Sequence, residues 1–417
     1  MSGQGRRLVI IGAGMAAGRL IDHLMAEEAG WQITLFNAEP RGTYNRLMLS
    51  PVLAGEKTYD QIVTHADAFY ARHGIVTRFG EPVLRVDRDR RVVVGAAGEV
   101  PYDKLVIATG STPFIIPLPG HDLEGVIAYR DLEDTEAMIR LGETPGARAV
   151  VIGGGVLGLE AAAGMAARGI EVTVVHLMGH LMERQLDEAA GYLLRRSLVE
   201  KGIRVLCQAQ SKAILGDGGH VRALLLEDGT ELPCDLLVMA VGIRPNTVIA
   251  RDAGLEVGRG VAVDDHMVTS DPDILALGEC VEHAGALFGL VAPLYDQAKV
   301  AADTLMGRDA VFVNKEVSTK LKVTGCDLFS AGDFAGGAGR EEIVFSDPAR
   351  VLYKRLVIEG DRLIGAVMYG DTDDGGWFYG LIRDGADVTP LRDQLIFGPD
   401  YQEPLAEVSA GRCSLAG

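Results

Sequence analysis

The sequence predicts an α/β fold: two Rossmann-like dinucleotide-binding domains followed by a smaller C-terminal α+β domain. Three observations carry this. The first is Leu8 to Gly18, LVIIGAGMAAG, where four apolar residues run into Gly12, Gly14 and Gly18, with Ala17 where such motifs place a third glycine. A short apolar run ending in G-x-G reads as a buried parallel strand turning tightly into a helix. Glycines let the backbone close on a pyrophosphate, and the helix that follows offers free N–H groups at its positive end. The second is VVIGGGVLGLE, Val150 to Glu160, where Gly153, Gly155 and Gly158 show the full G-x-G-x-x-G spacing. One such turn reads equally well as close helix–strand packing, but two in one chain point to two bound nucleotides. The third is the alternating pattern beyond Lys315, in Val351 to Ile358 and Leu363 to Tyr369, which reads as strands outside either βαβ unit.

Composition sets the frame. At about 150 residues per domain, 417 residues suit two or three domains. Hydrophobic residues make up 48% and charged residues 24%, as in ordinary globular proteins. No apolar run approaches the length of a membrane span, and MSGQGRR enters the first strand at once, so the expectation is a cytoplasmic protein without a membrane partner. A net charge of −18 argues against nucleic-acid binding and suits either simple solubility or docking to a basic protein surface. Five scattered cysteines, Cys207, Cys234, Cys280, Cys326 and Cys413, form no C-x-x-C and no cluster spacing. They read mostly as buried, inert thiols, and no metal site is expected.

Along the chain, Arg19 to Glu28 has helical spacing and Trp31 to Phe36 reads as the second strand, ending near Glu39. An acid after this strand holds an adenosine ribose hydroxyl in such folds, about twenty residues past the glycines. Glu39 lies somewhat farther away and reads alternatively as a solvated turn residue. Arg41 to Ser50 reads as a loop and first helical turn able to reach a cofactor ring. Short strands over 81 to 110 end in the small-residue turn Thr109-Gly110-Ser111, which permits close approach to a ligand. Pro113, Pro117 and Pro119-Gly120 break the chain and mark a domain boundary. The second βαβ unit spans Arg148 to Val175 and its second strand ends at His176. A glutamate there favours NAD and an arginine NADP; histidine settles neither. Leu236 to Asn246 reads as the return crossing, Glu279 follows a short buried strand, and Pro293 to Met306 reads as a helix.

With both fingerprints, the Ala108-Thr109-Gly110 turn and Gly278-Glu279 in place, the sequence resembles the flavoprotein oxidoreductases with two dinucleotide-binding domains, over residues 7 to 310. More narrowly, ITLFNAEPRGTYNRLMLSPVLAGE, VTVVHLMGHLMERQLD and KLKVTGCDLFSAGD are similar to the N-terminal flavoprotein half of assimilatory NAD(P)H nitrite reductase large subunits and to nitrate reductase electron-transfer subunits. The resemblance implies FAD in a discontinuous domain of residues 1–115 and 245–310. It implies NADH or NADPH, as electron donor, in residues 116–244 and an interface domain in residues 311–417. It places Gly12, Gly14, Ala17 and Glu39 at the ADP part of FAD, Thr109 and Gly110 at the cofactor backbone, and Arg46 near the flavin ring. Glu279 stands where relatives have aspartate and would reach a ribityl hydroxyl with a longer side chain. Gly153, Gly155 and Gly158 would hold the nicotinamide dinucleotide. Glu160 would sit where nicotinamide and flavin meet, although the lysine that pairs with it in rubredoxin-reductase-type relatives is Pro51 here; a structural helix carboxylate is the other reading. Glu160 and Arg46 are thus the candidate catalytic residues.

The expectation is an FAD-dependent NAD(P)H oxidoreductase passing electrons to a separate redox protein, with self-association left open. The acceptor would be a sirohaem or iron–sulfur component of nitrite or nitrate reduction, or a ferredoxin-like protein. Nitrite reductase subunits continue into iron–sulfur and sirohaem segments, whereas this sequence runs to Gly417, so no nitrite reduction is expected from it alone. The rivals are a ferredoxin or rubredoxin reductase of another pathway, an NADH oxidase, for which the loop of residues 40 to 51 lacks a redox cysteine, and a flavin-bearing NAD(H) sensor without turnover.

Overall fold

A computed structural model describes residues 5–314, 319–323 and 325–401. Cys413 and the end of the interface domain lie outside the described residues. The chain forms two compact units.

The first unit comprises residues up to Pro117, Ile127–Thr144 and Met239–Lys315. Its centre is a parallel sheet ordered Val76–Phe79, Gln32–Asn37, Arg7–Ile11, Lys104–Ile107, Ile274–Ala276. Apart from the edge strand Val76–Phe79, the buried runs in these strands are nearly continuous rather than alternating, as a sheet covered on both faces demands; Leu8, Ile10, Leu35, Val106, Ile107 and Ile274 are fully buried. Helices Met15–Ala26 and Val291–Leu305 pack against each other and bring Leu20, Ile21, Leu24, Ala298 and Ala301 to the same core. Strand order reverses beside Arg7–Ile11, and in such sheets that switch point is where ligands bind, at the carboxyl ends of the strands. The chain leaves and re-enters this unit along adjacent tracks, Ser111–Pro113 pairing antiparallel with Ile243–Pro245. Residues Ile127–Thr144, within the stretch read from sequence as part of the second domain, pack here instead. The cause is the helix Leu132–Leu141, whose buried Leu132, Thr135 and Met138 face the helix Leu49–Ala54.

The second unit comprises Leu118–Val126, Pro145–Val238 and the described residues from Thr319 onward. It repeats the same strand order: Arg204–Leu206, Glu171–Val175, Arg148–Ile152, Leu236–Met239, with Val126–Ala128, where the chain passes out of the unit, at the edge. The C-terminal part is an antiparallel sheet ordered Thr319–Val323, Cys326–Gly332, Arg362–Tyr369, Leu352–Glu359, Arg340–Asp347. Helix Gly375–Asp384 covers it, burying Phe378 over Phe329, Leu356 and Met368. A Cβ on Gly375 would lie 2.6 Å from the Phe329 ring, so glycine sets how closely this helix approaches.

One buried polar group fastens that sheet to the nucleotide half of the same unit. Asp187 caps helix Glu188–Glu200, its Oδ1 accepting from Ala190 N–H at 3.0 Å. Its Oδ2 accepts from Tyr353 Oη at 2.6 Å and Arg355 Nη1 at 3.0 Å. Arg355 also pairs with Glu342 at 2.9 Å. Removing the Asp187 carboxylate strands a nearly buried guanidinium and phenol as well as a helix end. Asp187→Ala is therefore expected to destabilise the protein by about 2–4 kcal/mol in urea unfolding, and Asp187→Asn, which keeps the cap, by about half that. Equal stability of all three proteins would contradict the assignment.

Candidate functional site: two glycine turns at the carboxyl ends of two parallel sheets

The glycines of each turn have two different jobs. Gly12 has φ +103°, and a Cβ on it would fall 2.2 Å from the Ala108 carbonyl oxygen, so only glycine lets the first strand's end pass under the end of Lys104–Ile107. Gly14 is different. Its backbone is extended, and a Cβ there meets nothing within 4 Å. It is the N-cap of helix Met15–Ala26 and gives the helix end no side-chain cap. The helix's first N–H groups thus face open space, the arrangement that takes a phosphate. Ala17 is fully buried on that helix and serves packing. The second unit matches: Gly153 has φ +125°, and Gly155 is an extended, uncapped N-cap for helix Val156–Ala167 with nothing within 4 Å of a Cβ. Gly158 is buried on the helix and Glu160 is half-buried one turn into it.

Around the first turn the polar residues are pre-paired. Glu39, after the second strand, accepts from Arg46 Nη2 and from Tyr44 Oη at 2.8 Å. Arg46 also donates to the Arg130 carbonyl at 3.0 Å. Sequence assigned Glu39 to the ADP end and Arg46 to the flavin ring; the structure makes them an ion pair. Thr109 Oγ1 donates to the Asn246 carbonyl at 2.7 Å, and Gly110, at φ +67°, turns the chain beside it. Glu279 Oε2 accepts from Arg130 Nη2 at 2.5 Å and Ser111 Oγ at 2.8 Å. The longer acid is thus anchored by a guanidinium. Arg130 leads into a capping box, and burial, with the neighbouring Asp131 charge, pushes the Asp134 carboxyl up to about 6. Gly278 N–H donates to Gln297 Oε1 at 2.8 Å, and Gln297 Nε2 is buried with no hydrogen-bond partner among the described residues.

Arg130, Gln297 and the bond from Ser111 to Glu279 are not visible in the sequence. Only proximity reveals them, since Arg130 sits in no recognisable motif and lies far in the chain from Glu279, the motif residue it holds. The cysteines read from sequence as mostly buried. Cys234 and Cys280 are, and burial pushes the Cys234 thiol up to about 12, whereas Cys207 and Cys326 are only half-buried because they sit at strand ends. Among the described residues no group of three or more His, Cys, Asp or Glu side chains is arranged to hold a metal ion, and no helix is long and apolar enough to cross a membrane. The open space at Gly14 and Gly155 and the uncapped helix ends fit a dinucleotide at each turn.

Residues 6–304 match the pyridine nucleotide-disulphide oxidoreductase family, and residues 318–386 match the rubredoxin NAD+ reductase C-terminal domain. The chain is 42% identical to the nitrite reductase [NAD(P)H] of Bacillus subtilis (strain 168), over 97% of this chain and 50% of that protein. It is 38% identical to the assimilatory nitrate reductase electron transfer subunit of the same organism, over 96% of this chain and 52% of that one. It therefore spans about half the length of these curated relatives. Among solved structures, the covalent putidaredoxin reductase–putidaredoxin complex aligns with a TM-score of 0.80 at 27% identity, covering 93% of this chain and 97% of that chain. Two glycine turns at the switch points of two like sheets, matched over this length, make the chain an oxidoreductase of the pyridine nucleotide-disulphide family, whose members use FAD and NAD(P)H.

Proposed function

We propose that this chain binds FAD at the Gly12 turn and NADH or NADPH at the Gly153 turn, and passes electrons to a separate redox protein, a nitrite or nitrate reductase component of nitrogen assimilation. The observation that carries this is the pair of uncapped helix N-termini behind Gly14 and Gly155, each facing open space. In this proposal residues 1–115 and 245–310, with Ile127–Thr144 packed among them, form the FAD part, the rest of 116–244 the nicotinamide part and 311–417 the interface for a partner. FAD supplies the chemistry when bound, accepting a hydride and releasing electrons singly. The protein binds and orients. Gly12, Gly14, Glu39 and Arg46 would hold the dinucleotide, Thr109 and Gly110 would let it approach the turn, and Glu279, held by Arg130 and Ser111, would supply an acceptor for a ribityl hydroxyl. Glu160 is assigned to the nicotinamide end. A net charge of −18 would draw a basic partner at low salt. The match to the rubredoxin NAD+ reductase C-terminal domain favours a second reading, reductase to a small iron–sulfur or rubredoxin-like carrier. Both readings fit a cytoplasmic protein.

Because Gly14 and Gly155 have extended backbones and free space, Gly14→Glu and Gly155→Glu should fold normally. Gly14→Glu is expected to lose its flavin, by placing a carboxylate where a phosphate lies. Gly155→Glu should stay yellow yet no longer bleach with NADH or NADPH. A folded Gly14→Glu protein with full flavin content would refute the FAD assignment, and a Gly155→Glu protein that lost its flavin but still bound nicotinamide nucleotide normally would reverse the two domains.

The five cysteines show no cluster spacing, so nitrite reduction, which needs multi-electron metal centres, should be absent from the purified 417-residue chain. NAD(P)H-dependent ferricyanide reduction should proceed without added protein. Nitrite loss with this chain and NADH alone would overturn the proposal, and absence of ferricyanide turnover would favour a sensor.

A further inference from the structure

The second unit's strand Glu171–Val175 ends at His176, where dinucleotide folds place an acid for the ribose hydroxyls or a cation for a 2′-phosphate. His176 is buried against the glycine turn. Gly154 N–H donates to its Nδ1 at 3.1 Å. A backbone N–H can only donate, so Nδ1 is the bare nitrogen, and Nε2 carries the proton that reaches Glu183 Oε2 at 3.1 Å. The contact explains the middle glycine of the run: a Cβ on Gly154 would lie 2.7 Å from the His176 ring and 2.7 Å from Leu181. The intervening loop folds back, with Met182 N–H donating to the Gly154 carbonyl at 2.9 Å. Glu183 is thereby delivered to the end of the strand from seven residues downstream. Its side chain remains 29% exposed, while that of His176 is 9% exposed.

We propose that Glu183, oriented by His176, is the carboxylate that selects the nucleotide, accepting a ribose hydroxyl of NADH and repelling the 2′-phosphate of NADPH. His176 is a positioning residue, and both of its ring nitrogens are already engaged. No lysine or arginine lies between Val175 and Glu183. The exposed side chains of that loop, Leu177 and Met178, are apolar and have nothing to donate to a phosphate. Arg184 follows Glu183 and is exposed. The assignment rests on the second turn being the nicotinamide nucleotide site.

The test is calorimetric binding of NAD+ and NADP+ to the purified, flavin-loaded chain, with melting temperatures as a check on folding. NAD+ is expected to bind at least about tenfold tighter than NADP+. Glu183→Gln should weaken NAD+ by about three- to tenfold and bring the two affinities together, and Glu183→Arg should favour NADP+. A merely structural Glu183 would lower the melting temperature and leave the affinity ratio unchanged. That result, or equal affinities in the unaltered protein, overturns the proposal. Binding of neither nucleotide by the flavin-loaded protein would instead refute the nucleotide assignment of the whole unit.

Discussion

Everything in the first unit depends on one close approach, the Ala108 carbonyl oxygen lying where a Cβ of residue 12 would be. It forces glycine at position 12, brings the ends of two neighbouring strands together and leaves the following helix to begin in the open. The helix start then needs nothing more than Gly14, whose missing side chain keeps its N–H groups free. A protein that capped this end with Ser or Asp would gain stability of order 1 kcal/mol and lose an anion site. Other helices here also start without a side-chain cap, but these two start on an extended glycine with open space before it, in the same place in both units, and such an opening belongs to function.

The polar residues nearby are held before any ligand arrives. Arg46 lies between Glu39 and the Arg130 carbonyl, and Arg130 in turn fixes Glu279 with Ser111. This chain of contacts crosses three separate stretches of sequence, all within the first unit. Pre-pairing means that binding needs little reordering of long side chains, which otherwise costs about 0.5–1.5 kcal/mol for each one immobilised.

The strands, the two turns and the crossings were legible because each is local: an apolar run, a glycine pair, a proline-rich break. The partner of Glu39 was not, although both residues were singled out, since nothing in the spacing of Glu39 and Arg46 says that the intervening loop folds them together. Glu183 was invisible for the same reason. Its neighbour His176 stood at the informative position, and only the loop that returns Met182 to Gly154 shows which carboxylate His176 holds. The placement of Ile127–Thr144 in the first unit was hidden too, because membership there is decided by which helix covers Leu132 and Met138.

The central claim is that two glycine turns serve two nucleotides that exchange electrons. The most direct measurement is an anaerobic titration of the purified chain with NADH, following the visible absorbance of bound flavin. The account predicts a yellow protein whose colour is lost in proportion to NADH and is fully bleached at about one NADH per chain, the two-electron stoichiometry of a single flavin. A colourless protein, or a bound flavin that NADH and NADPH both leave oxidised, would contradict it.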